Sequence, residues 1–146
     1  MGLIKYVGPG RVAIDTAIFI YYIEEHPEYL PLVAPLFAET AAGARELVTS
    51  ALTLLEVLVV PFRVADLPLA DRYEAVLTRS RGLRMVEIDR GQLRTASQIR
   101  AAYGIRTPDA LQLAAAFATR CATFLTNDRR LPALPGLRIV QLSDVR

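Results

Sequence analysis

Val12-Ala13-Ile14-Asp15-Thr16-Ala17-Ile18-Phe19-Ile20-Tyr21-Tyr22 is the stretch whose reading decides the fold. Val12, Ala13 and Ile14 form a short apolar run that ends at Asp15. Beyond it Ala17, Ile18, Tyr21 and Tyr22 recur at helical spacing until Glu24-Glu25-His26-Pro27 interrupts the pattern. A strand feeding directly into a helix is the unit from which α/β folds are built, and the rest of the chain repeats it. A helix is expected over 32–42, ending near Gly43, then a strand over 47–50. Ser50 is placed to cap a further helix from 52 onward, with Pro61 near its end. Leu69, Tyr73, Val76 and Leu77 predict a helix over 67–80 that closes at Gly82, and 84–88 alternates as a strand. A helix over 89–103 follows, with Gly104 as the residue past its end. Thr107-Pro108-Asp109 has a hydroxyl at N-cap, proline at the first helical position and an acid in the first turn, opening an alanine-rich helix to Arg120.

Strands over 123–126 and 138–142 bring the count to five, separated mostly by helices. Such alternation predicts a three-layer α/β/α fold with a mostly parallel sheet covered on both faces. With 146 residues, no internal repeat and no linker, the chain reads as one domain, residues 1–146. Gly8-Pro9-Gly10 marks off residues 1–10 as a short N-terminal extension, a stray strand or a loose arm.

Composition excludes more than it selects. Cys121 is the only cysteine, so no disulfide forms within the chain, and a small core residue in a reducing cytoplasm is the expectation. The N-terminal residues contain no apolar stretch of signal-peptide length. The longest apolar run, 51–60, is too short to span a bilayer and carries Glu56, so a soluble cytoplasmic protein with no membrane partner is expected. Net charge is +2, which permits nucleic-acid binding without requiring it. Of the 17 basic residues only Lys5 is a lysine. Arginine's planar fork suits phosphate oxygens, though genome composition gives the same bias.

Four acids stand apart from the rest. In open parallel sheets ligands bind outside the carboxyl ends of the strands, where Asp15 and Asp128 fall. Each also has an ordinary explanation: Asp15 as a helix cap, Asp128 as the acceptor of an Asx turn, and Asp109 as a first-turn acid offsetting the helix dipole. Glu56 is different. Leu52, Leu54, Leu55, Val57, Leu58, Val59 and Val60 surround it in sequence, so its carboxylate must be protonated, paired with an arginine or coordinated to a cation. Acids gathered at one edge repel unless a cation neutralises them, and a site of oxygen donors suits Mg²⁺ or Mn²⁺. Zinc is disfavoured, because His26 is the only histidine and has no cysteine or histidine partner at ligand spacing.

Val12-Ala13-Ile14-Asp15-Thr16, the stretch 50–56 ending in Glu56, Thr107-Pro108-Asp109-Ala110-Leu111-Gln112-Leu113-Ala114, and Phe124-Leu125-Thr126-Asn127-Asp128 occur in that order. Together they resemble the PIN-domain nucleases, and particularly the short VapC-like toxins of type II toxin–antitoxin systems. The resemblance implies a parallel sheet with Asp15, Glu56, Asp109 and Asp128 at its carboxyl edge as catalytic and metal-ligating residues. It also implies Mg²⁺ or Mn²⁺ as cofactor and RNA as substrate. Thr16, Ser50, Thr126 and Asn127 take supporting positions. Many members carry histidine where Gln112 stands, and the ten residues before Arg11 exceed the usual lead-in.

The activity expected from the resemblance is an endoribonuclease that uses activated water and leaves 5′-phosphate and 3′-hydroxyl ends. Arg129 and Arg130 are candidate substrate-phosphate contacts. A toxin of this type forms a homodimer and is blocked by a small antitoxin protein. Phe19, Tyr21, Tyr22, Tyr29, Leu30 and Leu36 are candidate contact residues for such partners, with burial in the core the favoured reading. Two other classes remain open. A PIN-like RNA- or protein-binding module without catalysis would usually have lost an acid. A phosphate-receiving signalling domain would usually pair two acids after the first strand and place a late lysine, whereas Thr16 stands beside Asp15 here and no lysine follows Lys5.

Overall fold

The computed structural model describes residues 2–145. The elements run α1 (Leu3–Val7), β1 (Val12–Ile14), α2 (Thr16–Ile23), α3 (Leu30–Ala41), β2 (Leu47–Ser50), α4 (Leu52–Arg63), α5 (Leu67–Arg79) and β3 (Leu83–Val86). They continue with α6 (Arg90–Tyr103), α7 (Thr107–Ala118), β4 (Thr123–Thr126), β5 (Arg138–Gln141) and a final 3₁₀ turn (Leu142–Asp144). The five strands form one sheet in the order β3-β2-β1-β4-β5, and every neighbouring pair is parallel. This is the expected α/β fold with its sheet between helical layers.

The period-2 geometry of strands sorts their side chains into two cores. Val12 and Ile14 of β1, Leu47 of β2, Leu125 of β4 and Val140 of β5 point to one face, where they meet apolar residues of α1 to α5. Ala13, Val48, Phe124 and Ile139 point to the other, against Ala96 and Ile99 of α6 and the alanine-rich face of α7. Ala110, Ala114 and Ala116 of α7 are fully buried, and their small side chains let this helix lie close on the sheet.

Residues 3–7 are neither a strand nor a loose arm. They form α1, whose Leu3 and Val7 are buried in the larger core, and the Thr123 hydroxyl donates to the Val7 carbonyl at 3.1 Å. The glycine-proline segment turns the chain back from this helix into β1. Phe19 and Leu36 are fully buried and Tyr22 stacks on Phe37 with ring centroids 3.9 Å apart, so the aromatic early helices belong to the core.

Helix α4 departs from expectation. Its apolar residues are not all buried: Leu55 and Phe62 are 61% and 57% exposed, and Val59, Val60, Val64 and Leu67 continue the exposed apolar surface. Glu56 is therefore half-buried at the boundary of an outward-facing apolar helix. At α7 the N-cap is Arg106, not Thr107, and no side chain caps the first turn. Thr107 is already helical, which shifts Pro108 and Asp109 one step deeper into that turn.

One glycine is essential to the link between α5 and β3. Gly82 has φ +80, and a Cβ there would lie 2.7 Å from the Thr40 carbonyl oxygen and 3.2 Å from that of Arg45. Gly82→Ala should destabilise the fold by roughly 1–3 kcal/mol from backbone conformation alone, with the steric clash adding to it. Urea denaturation checks this; an unchanged midpoint would contradict the close approach.

Candidate active site

The sheet order determines where a site forms. β1 lies at the centre with β2 on one side and β4 on the other; the chain leaves β1 toward β2 and leaves β4 toward β5, in opposite directions, which opens a crevice at the carboxyl ends of β1 and β4. Asp15 directly follows β1 and Asp128 lies just past β4, while Glu56 sits in the first half of α4 and Asp109 in the first turn of α7. All four acids line one open cleft of about 420 Å³, together with Thr16, Tyr21, Asn127, Arg106 and Arg130.

Asp15 is held through both carboxylate oxygens. Its Oδ1 accepts from the Thr16 backbone N–H at 2.8 Å and its Oδ2 from the Thr126 hydroxyl at 2.7 Å. Thr126 in turn accepts from the Asp128 N–H at 3.0 Å, so one hydroxyl ties together the loops after β1 and β4. The Thr16 hydroxyl donates to Glu56 Oε1 at 2.7 Å. Thr16 thus bridges two of the acids, one through its backbone and the other through its side chain.

Beneath Glu56 runs a buried polar chain. The Thr49 hydroxyl donates to the Ile14 carbonyl at 3.0 Å. Its single proton is thereby used, so in the 2.7 Å contact with Thr53 the proton comes from Thr53. Thr53 then accepts from the Gln112 amide at 2.9 Å, and the same amide group reaches Glu56 Oε1 at 3.3 Å. The donors run one way, from Gln112 on α7 to the end of β1. Gln112 therefore holds Glu56 where no arginine does, and Glu56 makes no salt bridge to a described residue.

Charge explains the remaining arrangement. Burial pushes the Asp15 carboxyl above its ordinary value; the hydrogen bonds from Thr126 and Thr16 oppose the shift, while the charges of Asp109 and Glu56 add to it. Asp128 goes the other way, held low chiefly by the hydrogen bond from Arg130. That pair is bidentate, Arg130 Nε to Oδ1 and Nη2 to Oδ2, both at 2.9 Å. Arg106 Nε pairs with Asp109 Oδ2 at 3.2 Å. Both arginine side chains are more than 60% exposed, so solvent screens their charges.

Two expected residues sit differently. Arg129 turns away from the cleft, bonding the Ser143 hydroxyl at 2.8 Å and pairing with Asp144. Asn127 lines the cleft but touches none of the acids; it donates to the Tyr21 hydroxyl at 3.3 Å and accepts from the Ser143 N–H at 3.1 Å, so it secures the loop. Ser50 accepts from the Leu52 N–H at 3.1 Å but is not the cap expected: the N-cap of α4 is Ala51, with no side-chain cap, and Ser50 lies one residue before it, buried and outside the cleft lining. Arg106, Thr53 and the positioning role of Gln112 escaped sequence reasoning. The spacing of Gln112 three residues after Asp109 on the same helix is the signal that could have found it.

The donor set is all oxygen, from carboxylates and hydroxyls, and fits a hard divalent cation. His26 is elsewhere, stacked on Tyr29. Among the described residues no three acids stand close enough to form a ready-made ion site, and arginines pair with two of the four.

The model of one family, the PIN domain, matches residues 12–137. This chain belongs to the PIN-domain family. PIN domains are generally nucleases that use divalent metals. Solved structures similar to this PIN domain include a toxin-antitoxin complex from Klebsiella pneumoniae, 20% identical with a TM-score of 0.63 over 90% of this chain and 97% of that one. VapBC2 from Rickettsia felis, bound to a DNA fragment from its promoter, is 18% identical with a TM-score of 0.65 over 90% and 98%. VapBC-5 from Mycobacterium tuberculosis is 19% identical with a TM-score of 0.60 over 91% and 99%. At these identities the likeness is one of fold. No curated protein sequence matches significantly.

The raised Asp15 carboxyl has a stability consequence in metal-free protein. The folded state holds that proton to higher pH than the unfolded chain does, so stability falls as pH rises from the ordinary value near 3.8 through the raised one. Asp15→Asn should therefore melt higher than the parent at neutral pH in chelator, with the gap closing below that window. A gap independent of pH would contradict the cause given.

Proposed function

We propose that residues 1–146 form a single metal-dependent ribonuclease domain, the endoribonuclease toxin of a type II toxin–antitoxin pair acting in the cytoplasm. The observation that carries this reading is the meeting of Asp15, Glu56, Asp109 and Asp128, from four separate elements, around one cleft at the carboxyl edge of the sheet. The family is in general nucleolytic, and the similar structures are toxin-antitoxin assemblies by description.

In this reading the four carboxylates hold Mg²⁺ or Mn²⁺. A bound divalent ion supplies a lowered pKa for attacking water and neutralises charge on the phosphate. Asp15 is kept in place by Thr16 and Thr126, and Glu56 by Thr16 and Gln112. Arg106 and Arg130 are the counter-ions of Asp109 and Asp128; with a divalent ion held by those carboxylates, the two guanidinium groups would be available to the RNA phosphate. No histidine reaches the cleft to activate a ribose 2′-hydroxyl, so water attacks phosphorus and the 3′ oxygen leaves. The ends are 5′-phosphate and 3′-hydroxyl.

Protein contact belongs to the same proposal. A homodimer and a small antitoxin are assigned to the exposed apolar face of α4 and its continuation, Leu55, Val59, Phe62 and Val64, in place of the buried aromatic helices. Among the described residues no helix is long and apolar enough to cross a membrane.

The test is RNA cleavage by the purified chain with Mg²⁺ or Mn²⁺. Chelator should stop it, and Asp15→Asn and Asp109→Asn should each abolish it while circular dichroism stays unchanged; full activity in either variant sinks the proposal. Thr126→Val should weaken Mn²⁺ binding by about 10–100-fold, the effect of losing a group that orients a metal ligand. Calorimetric titration reads this directly, and an unaltered affinity would remove Thr126 from the site.

A further inference from the structure

Beside the acid-lined cleft lies a second, smaller cavity of about 210 Å³. Arg106, Asp109 and Arg130 line both spaces, so the two adjoin and share these side chains as a common boundary. The rest of its wall is Tyr103, Gly104, Ile105 and Leu131. This differs chemically from the acid cleft: one aromatic ring, two aliphatic side chains and bare glycine backbone, with two arginines and the Asp109 carboxylate at the shared boundary.

The wall is preformed. Gly104 takes φ +68 and its N–H donates to the Arg100 carbonyl at 2.8 Å, ending α6. Arg100 Nε then donates to the Ile105 carbonyl at 3.0 Å, which fixes the turn between α6 and α7. Ile105 and Leu131 are half-buried and packed on the core beneath α6 and α7. Tyr103 is 42% exposed and its hydroxyl has no partner among the described residues. An exposed aromatic ring beside an apolar wall has no evident role in stability.

We infer that this cavity is a subsite for one unpaired nucleobase of the RNA strand, next to the phosphate held at the carboxylates. The inference rests on the ribonuclease reading and names the substrate as single-stranded at that position. Size favours it: the space is below the roughly 300–1,000 Å³ of a site for a drug-sized ligand and suits a single planar heterocycle. Chemistry favours it too. Splayed bases of single-stranded RNA stack on aromatic side chains, whereas bases inside a duplex are already stacked and out of reach. The shared arginines match the charge of the phosphate that joins the base to the scissile position.

Fluorescence anisotropy with a short labelled single-stranded oligoribonucleotide of mixed sequence, and with its fully abasic counterpart, tests the assignment. Ca²⁺ replaces Mg²⁺, and a gel verifies that the oligomer stays intact. Tyr103→Ala should weaken binding of the base-bearing strand by about 5–150-fold, the range for losing one base stack. Binding of the abasic strand should not change, and Tyr103→Phe should retain the parent affinity because the ring remains. Equal binding of the base-bearing strand by the alanine variant, equal losses on both strands, or no RNA binding by the parent would each overturn the subsite. Cleavage with Mn²⁺ is scored separately: a Tyr103 effect without any cleavage would sink the nuclease reading alone, and cleavage without a Tyr103 effect would sink the subsite alone.

Discussion

Like charges brought together at the end of a parallel sheet must be offset, and that requirement shapes the rest of this protein. Asp15 is driven toward its neutral form by burial and by the neighbouring charges of Asp109 and Glu56. Hydrogen bonds from Thr16 and Thr126 oppose this without contributing a positive charge. Two other acids are neutralised by arginine instead. The cleft is thus divided between carboxylates fixed by hydroxyl and amide donors and carboxylates paired with exposed cations, whose charge solvent screens.

Several residues serve two purposes at once. Asp15 caps α2 through the Thr16 N–H and also faces the cleft. Asp128 accepts from the Arg130 N–H in a tight turn, and its side chain pairs with the same arginine. Local roles of this kind do not exclude a role in chemistry, because a carboxylate offers about four lone-pair sites and a cap uses one of them. For Asp15 the second oxygen goes to Thr126, which couples the end of β1 to that of β4.

Much of the fold was legible because its signals are local. Three-residue β1, the parallel five-strand sheet and the end of α6 at Gly104 follow from apolar period and capping chemistry. Burial on α4 was not legible: an apolar helix gives the same pattern whether it faces a core or an absent partner, and Leu55 and Phe62 turned out to face solvent. The helix α1 was missed because five residues hold too little periodicity to separate a helix from a strand.

The amino-acid order alone determined that Asp15 and Asp128 would end strands and that Asp109 would open a helix, since each depends on neighbours a few residues away. Only the tertiary structure decided which cation or hydroxyl meets each acid. Arg106 and Arg130 reach Asp109 and Asp128 across short turns, yet Arg129, adjacent to Arg130, is drawn off by Ser143 and Asp144. Gln112 finds Glu56 from 56 residues away in sequence. Such pairings follow from side-chain direction and from the packing of distant elements, and neither is written in the local pattern of residues.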